Sequence, residues 1–183
     1  MIYVFLADGF EEVEAIAPID LLRRAGKEVV TVGVTGKVVM GAHSIPVTAD
    51  ITQEALTDFA EAEMIVLPGG MPGTLNEEAS SVVQAAIDYC AEKGIPMGAI
   101  CAAPSILGHK GLLCGKQATC YTGFEKELSG AEIAAKGVVT DGTITTARGA
   151  GVAVDFGLEL IAVLCGKDMS DQIRSAILCD DAK

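Results

Sequence analysis

Short apolar runs alternate with helix-period segments along this chain, and that alternation restricts the fold more than any other feature. Residues 2–6 form a buried-strand candidate that ends at Ala7-Asp8-Gly9. Residues 11–25 follow as a helix, with Val13, Ile16, Ala17, Leu21 and Leu22 on one side and Gly26 as the stop. Pro18 falls inside this helix and is expected to bend it or to end its first half. A second strand spans residues 28–34. Residues 33–46 are turn-rich, with strand pieces at 38–40 and 44–48 that read as a hairpin excursion. The strand at 62–67 stops abruptly at Pro68-Gly69-Gly70. A helix over 80–93 is closed by Gly94, and a strand over 96–100 leads through Cys101 straight into a helix over 102–107. A hairpin around Asp141-Gly142 joins 138–140 to 143–146, and helices follow at 151–164 and 170–177. Buried strands separated by helices predict one mostly parallel sheet with helices on both faces. The 183 residues suit a single domain over 1–183, with no repeat, linker or low-complexity tract.

In such a fold ligands sit at the carboxyl ends of the strands. That places Asp8-Gly9, Pro68-Gly69-Gly70, Cys101 and Arg148-Gly149 on one edge. Cys101, between strand and helix, has the position of a nucleophile elbow. A helix starting at Ala102 would aim its free N–H groups and positive end at the sulfur, which favours the thiolate. The alternative for Cys101 is a buried structural cysteine. Gly69 and Gly70 allow close backbone approach, and their N–H groups with that of Ala102 would form an oxyanion hole. The alternative there is an ordinary tight turn. Glu11 and Glu12 are accounted for by the helix dipole. Glu14 lies one turn in, among Val13, Ala15 and Ile16. A carboxyl group there, beside a thiolate, would share a single proton with it. Gly149-Ala150-Gly151 lacks the third glycine of a dinucleotide fingerprint, because Val154 stands there, and it reads as a close-packing turn. Arg148 either ties loops together or contacts an anion.

Composition narrows the partners. The chain carries 25 acidic and 13 basic residues, a formal charge of -12, which repels phosphate backbones, so no nucleic-acid partner is expected. No apolar run approaches the roughly 18 residues of a membrane span, and no membrane partner is expected. The N-terminus shows no basic segment followed by a signal-type apolar core, which predicts a cytoplasmic protein. The six cysteines, Cys90, Cys101, Cys114, Cys120, Cys165 and Cys179, contain no C-x-x-C pair. His43 and His109 lie far apart in sequence. No metal site is predicted, and most of the cysteines are expected to be small buried apolar residues.

The segments Asp8-Gly9-Phe10-Glu11-Glu12-Val13-Glu14, Leu67-Pro68-Gly69-Gly70, Ala99-Ile100-Cys101-Ala102-Ala103-Pro104 and Thr146-Ala147-Arg148-Gly149 together resemble the ThiJ/PfpI family, in particular its branch of the parkinsonism-associated deglycase. Arg23-Arg24-Ala25-Gly26 fits as well. The resemblance spans nearly the whole chain and implies a flavodoxin-like three-layer sandwich with a nucleophile-elbow cysteine. It implies that Cys101 is the nucleophilic and oxidisable cysteine, that Glu14 hydrogen-bonds it, and that Gly70 and Ala102 supply N–H groups. It also implies a homodimer without metal or organic cofactor. The activity implied is that of a glutathione-independent glyoxalase or protein deglycase acting on small reactive aldehydes or glycated adducts. The alternative is a redox-responsive chaperone or oxidative-stress sensor working through Cys101. Two departures bear on this. Peptidase and hydrolase relatives carry a histidine directly after the cysteine, where this chain has Ala102. Where the deglycase branch has a further pocket histidine, this chain has Cys120, a second pocket thiol that could pair with Cys101 under oxidation.

Overall fold

The computed structural model of the protein describes residues 1–179. Its elements run β1 (Ile2–Leu6), α1 (Glu12–Arg24), β2 (Val29–Gly33), β3 (Val38–Met40), β4 (Pro46–Thr48), β5 (Ile51–Thr52), β6 (Met64–Leu67), α2 (Gly73–Ala79) and α3 (Ser81–Lys93). They continue with β7 (Met97–Ile100), α4 (Pro104–His109), β8 (Gln117–Ala118), β9 (Glu132–Ile133), β10 (Val138–Asp141), β11 (Ile144–Ala147), α5 (Ala153–Cys165) and α6 (Lys167–Ala176).

Seven strands make one sheet in the order β10-β11-β7-β6-β1-β2-β5. All pair in parallel except β10, which folds back on β11 as the expected hairpin. The order reverses at β1: β2 is laid down on one side of it, and β6, β7 and β11 on the other. Connections from β1 and β6 therefore leave in opposite directions, which opens a crevice at their carboxyl ends.

Both faces of the sheet are covered, so its strands read as unbroken apolar runs rather than as alternating ones. Tyr3 and Phe5 of β1, with Ile65 and Leu67 of β6, join Val83 and Ile87 of α3 and Ile106 and Leu107 of α4 in one cluster. Ile2, Val4 and Leu6, with Met64 and Val66, join Leu22 of α1 and Phe156 and Leu160 of α5 in the other. This is the three-layer sandwich expected. Helix α3 is delimited by its own chemistry: the Ser80 side chain accepts from the Val83 N–H at 3.3 Å, and Gly94 ends the helix in the left-handed conformation at φ 67°.

One expectation is narrowed and two features differ from expectation. Helix α1 runs through Pro18 without ending. Proline removes one helical N–H donor, but this stretch is held against α5, where Gly157 permits close approach. A Cβ on Gly157 would lie 2.7 Å from Leu21 Cδ1 and 3.0 Å from Pro18 Cα. Helix α4 begins at Pro104 rather than at Ala102. Cys101 sits at φ 65°, which no helical residue adopts, and the chain needs the 101–103 turn before Pro104 can open a helix. Helix α2 and the short strands β5, β8 and β9 fall in stretches to which the sequence assigns no regular structure.

Candidate functional site

The turns after β1, β6, β7 and β11 meet at one edge of the sheet and are tied together by main-chain hydrogen bonds. The Glu11 N–H donates to the Gly69 carbonyl at 2.8 Å, the Cys101 N–H to the Ala147 carbonyl at 2.8 Å, and the Tyr121 N–H to the Cys101 carbonyl at 2.7 Å. Cys101 is held in the left-handed region, a strain of about 1–2 kcal/mol for a residue with a Cβ. The sharp reversal leaves Cys101 half-buried, with its sulfur facing the N–H groups of Gly70 and Ala102.

Glu14 comes to this sulfur from the first turn of α1. It is 1% exposed and hydrogen-bonded to Cys101. Its Oε2 accepts from the Gly69 N–H at 3.0 Å, and it also accepts from the Ala150 N–H. The sulfur in turn faces the N–H groups of Gly70 and Ala102. Each member of the pair therefore has two backbone donors. Gly69 must lack a side chain for this to fit: a Cβ there would lie 2.5 Å from Cys101 Cβ and 2.6 Å from Glu14 Oε2. Gly70, at φ 97°, is equally constrained, since a Cβ would meet the Glu11 nitrogen at 2.4 Å.

Burial dominates the electrostatics. It pushes the Glu14 carboxyl up to about 7, against the downward pull of Cys101 and the backbone donors and with help from the Glu11 charge. Burial, followed by the Glu14 charge, pushes the Cys101 thiol up to about 12. The helix-dipole argument predicted the opposite direction for the thiol. Burial and the Glu14 charge outweigh the Gly70 and Ala102 donors, and α4 starts at Pro104, two residues later than expected. The two groups titrate as a unit that keeps one proton between them over a wide range above neutrality.

Glu14, Gly69, Gly70, Cys101 and Ala102 are thus brought together as predicted. Cys120 immediately precedes Tyr121, whose N–H meets the Cys101 carbonyl at 2.7 Å. Its backbone lies in the turn beside Cys101, but its side chain is 6% exposed and packs in the cluster on the α3–α4 side, whereas Cys101 lies against the cluster on the α1–α5 side. Both thiols are free, and burial pushes Cys120 up to about 11. Both histidine rings are engaged by carboxylates. His43 Nδ1 lies 3.0 Å from Glu12 Oε2, and His109 joins Glu78 at 2.5 Å and Glu127 at 3.0 Å. Among the described residues, Glu11, Glu12 and His43 form the one group with three potential metal-ligating atoms close together. Hydrogen bonds account for it: Glu12 Oε1 accepts from the His43 N–H at 2.8 Å and clasps the β3–β4 hairpin onto α1.

Two features were not anticipated. A cavity of about 340 Å³ opens beside the pair, lined by Tyr121, Thr122, Arg148 and residues 149–152. It borders the site because a Cβ on Gly149 would lie 3.8 Å from Glu14 Oε1 and 3.5 Å from the Tyr121 ring. Glu77 of α2 is 0% exposed with neither carboxylate oxygen partnered, and Thr74 Oγ1, one turn earlier, is also unpartnered. Desolvation, then the Glu14 charge, raises the Glu77 carboxyl well above its ordinary value. No sequence signal separates Glu77 from its exposed-helix counterparts.

The profile of the DJ-1/PfpI family matches residues 1–163. The chain is 37% identical over 177 residues to protein DJ-1 homolog A of Arabidopsis thaliana, covering 94% of this chain but 45% of that relative, so it spans less than half of that relative's length. It is 30% identical over 168 residues to a protein named deglycase in Pyrococcus abyssi, covering 89% of this chain and 98% of the relative. The structure of oxidised Toxoplasma gondii DJ-1 superposes with a TM-score of 0.92 at 33% identity, covering 97% of each chain. With its fold shared at this level and its sequence matched from β1 into α5, the chain belongs to the DJ-1/PfpI family.

Proposed function

We propose that the protein is a cysteine-dependent enzyme acting on reactive carbonyls, of the glutathione-independent glyoxalase and deglycase type, with methylglyoxal converted to lactate. The observation that carries this reading is the buried Glu14–Cys101 pair, which holds one proton between two atoms that each face backbone donors. When that proton rests on Glu14, the Cys101 sulfur is a nucleophile. It adds to the aldehyde carbon, and the proton passes to the aldehyde oxygen to give a hemithioacetal. The N–H groups of Gly70 and Ala102 face the sulfur and would stabilise the developing oxyanion. Glu14, now a carboxylate, removes the C–H proton from the thiol-bearing carbon and returns it to the neighbouring carbon. The resulting thioester is hydrolysed by water, which releases the 2-hydroxy acid and restores the thiol. Atoms balance as methylglyoxal plus water giving lactic acid. Ala102 in place of a histidine speaks against peptidase chemistry. The relative named deglycase in P. abyssi supports carbonyl or glycated substrates for this chain.

The test is lactate formation from methylglyoxal without glutathione. Turnover should vanish in Cys101→Ala and fall by at least a hundredfold in Glu14→Gln. Turnover no faster than that of a free thiol would reject the reading.

A redox role through Cys101 is the second reading. It is favoured by the half-buried sulfur facing two N–H donors, which suit sulfinate oxygens. Either role is proposed for a homodimer. Helix α1 and the β3–β4 hairpin expose Val13, Ile16 and Ile45 on one side, an apolar face that suits a second copy. Sedimentation equilibrium returning a monomer at micromolar concentration would reject the dimer. No helix among the described residues is long and apolar enough to cross a membrane.

A further inference from the structure

The four arginines of the chain do not behave alike. Arg23 pairs with Asp50 at 2.9 Å, Arg24 with Asp20 at 2.6 Å, and Arg174 with Asp155 at 2.9 Å. Arg148 is exposed, and its guanidinium makes no hydrogen bond or ion pair with any described residue. In a chain with 25 acidic residues and a net charge of -12, an arginine without a carboxylate partner stands out. Its position sharpens the point. Arg148 is the first residue after β11, whose last residue, Ala147, is in register with Ile100 of β7. Arg148 and Cys101 therefore leave the carboxyl ends of adjacent strands, and Arg148 lines the cavity of about 340 Å³ that borders Glu14.

We infer that Arg148 is a specificity-determining residue of this site, and that the substrates are 2-oxoaldehydes carrying a carboxylate a few bonds from the carbonyl. This rests on the carbonyl-directed reading above and deepens it. The spacing follows from the sheet. Arg148 Nε lies 3.8 Å from the position of a Cβ on Gly137, which precedes β10 on the far side of β11 from Cys101. Two strand spacings amount to roughly 10 Å. An anion held by the guanidinium thus stays several ångströms from the sulfur, and a short chain bridges the gap. The fork of the guanidinium matches a carboxylate in two parallel hydrogen bonds. A phosphate dianion would call for a second cation, and no other lysine, arginine or histidine lines this cavity. A compound of the right shape is 4,5-dioxopentanoate. Addition of Cys101 to its aldehyde, proton transfer through Glu14 and hydrolysis would give 2-hydroxypentanedioate, with one water consumed.

Two measurements test this. The first compares kcat/KM for 4,5-dioxopentanoate and methylglyoxal in the wild-type chain, Arg148→Gln and Arg148→Lys. The ratio should favour the carboxylate substrate in the wild type and fall about tenfold in Arg148→Gln, mainly through KM, with partial retention in Arg148→Lys. A substitution that lowers both substrates alike would assign Arg148 a merely structural role and overturn the inference. The second is independent of turnover. Alkylation of Cys101 by iodoacetate and by iodoacetamide is followed on its own peptide by mass spectrometry. The iodoacetate-to-iodoacetamide rate ratio should fall about tenfold in Arg148→Gln at low salt, and less at high salt. An unchanged ratio overturns the role of Arg148 even if methylglyoxal is turned over. If neither aldehyde is turned over but the alkylation ratio falls, the carbonyl reading fails, and the anion-holding role of Arg148 is upheld.

Discussion

Replacing Glu77 by leucine should stabilise the protein, by an amount that grows with pH. Glu77 is 0% exposed and neither of its oxygens has a partner, so the folded state holds it as the neutral acid. An unpartnered buried polar group costs about 1–3 kcal/mol at any pH. A second cost appears once the unfolded chain begins to ionise at this position, near pH 4.3. Above that pH the unfolded state releases a proton that the folded state keeps, and stability falls by about 1.4 kcal/mol per pH unit until Glu77 ionises in the folded state. Below that pH both states are protonated and the second cost is absent. It keeps growing with pH for as long as burial holds Glu77 neutral in the folded state. The window up to pH 6.5 lies below the Glu14 titration at about 7, so the Glu14 charge contributes little and desolvation, the larger cause, acts alone. Urea unfolding at pH 5.0 and 6.5 should therefore show Glu77→Leu gaining more at the higher pH than at the lower, by up to about 2 kcal/mol if Glu77 stays neutral throughout. Each kcal/mol corresponds to about 2–4 °C in Tm for a chain of this size. Glu77→Gln separates the two costs: it should reproduce the pH-dependent gain and retain the penalty for buried polar atoms. Stability differences that stay constant with pH, in both variants, would refute the reasoning, because Glu77 would then ionise alike in the folded and unfolded states.

The Glu14–Cys101 pair carries two protons below about pH 7 and one above it, so kcat/KM for methylglyoxal should rise through about pH 7 towards a plateau, and a profile flat from pH 6 to 8 would refute that assignment. In Gly69→Ala the new Cβ would lie within 2.6 Å of both Cys101 Cβ and Glu14 Oε2, which must move apart; kcat should fall about a hundredfold while circular dichroism reports an intact fold, and activity within threefold of wild type would contradict the close approach.

Much of the architecture was legible because it is written in residues whose constraint is local. Gly94 marks the end of α3, and Asp141-Gly142 marks the tight turn of the β10–β11 hairpin, through backbone conformations that few other residues adopt. The unbroken apolar runs of β1 and β6 announce a sheet covered on both faces. What escaped the sequence is what only assembly decides. Pro18 fails to end α1 because Gly157, far along the chain, lets α5 lie against it. Glu77 lies in a stretch to which the sequence assigns no element, and nothing marks it as buried until α2 is packed with that side inward. The resemblance alone singles out Cys120, and its side chain packs on the α3–α4 side.

The site itself was legible in its membership but not in its energetics. A helix dipole acting on Cys101 alone would make a standing thiolate, whereas the folded protein applies four backbone donors to a two-atom problem. Gly69 and Ala150 donate to the Glu14 carboxylate, and Gly70 and Ala102 donate to the Cys101 sulfur. Equal numbers of donors leave the choice to the intrinsic strength of the acceptors, and a carboxylate oxygen accepts more strongly than sulfur. Above about pH 7 the shared proton therefore rests on the thiol, in keeping with a carboxyl at about 7 and a thiol at about 12. Reactivity then depends on a substrate that rewards transfer of that proton to Glu14. An aldehyde does so, because its oxygen takes the proton as sulfur bonds to carbon. On the carbonyl-directed reading proposed above, the raised thiol pKa keeps Cys101 protonated at rest and the aldehyde draws its proton away.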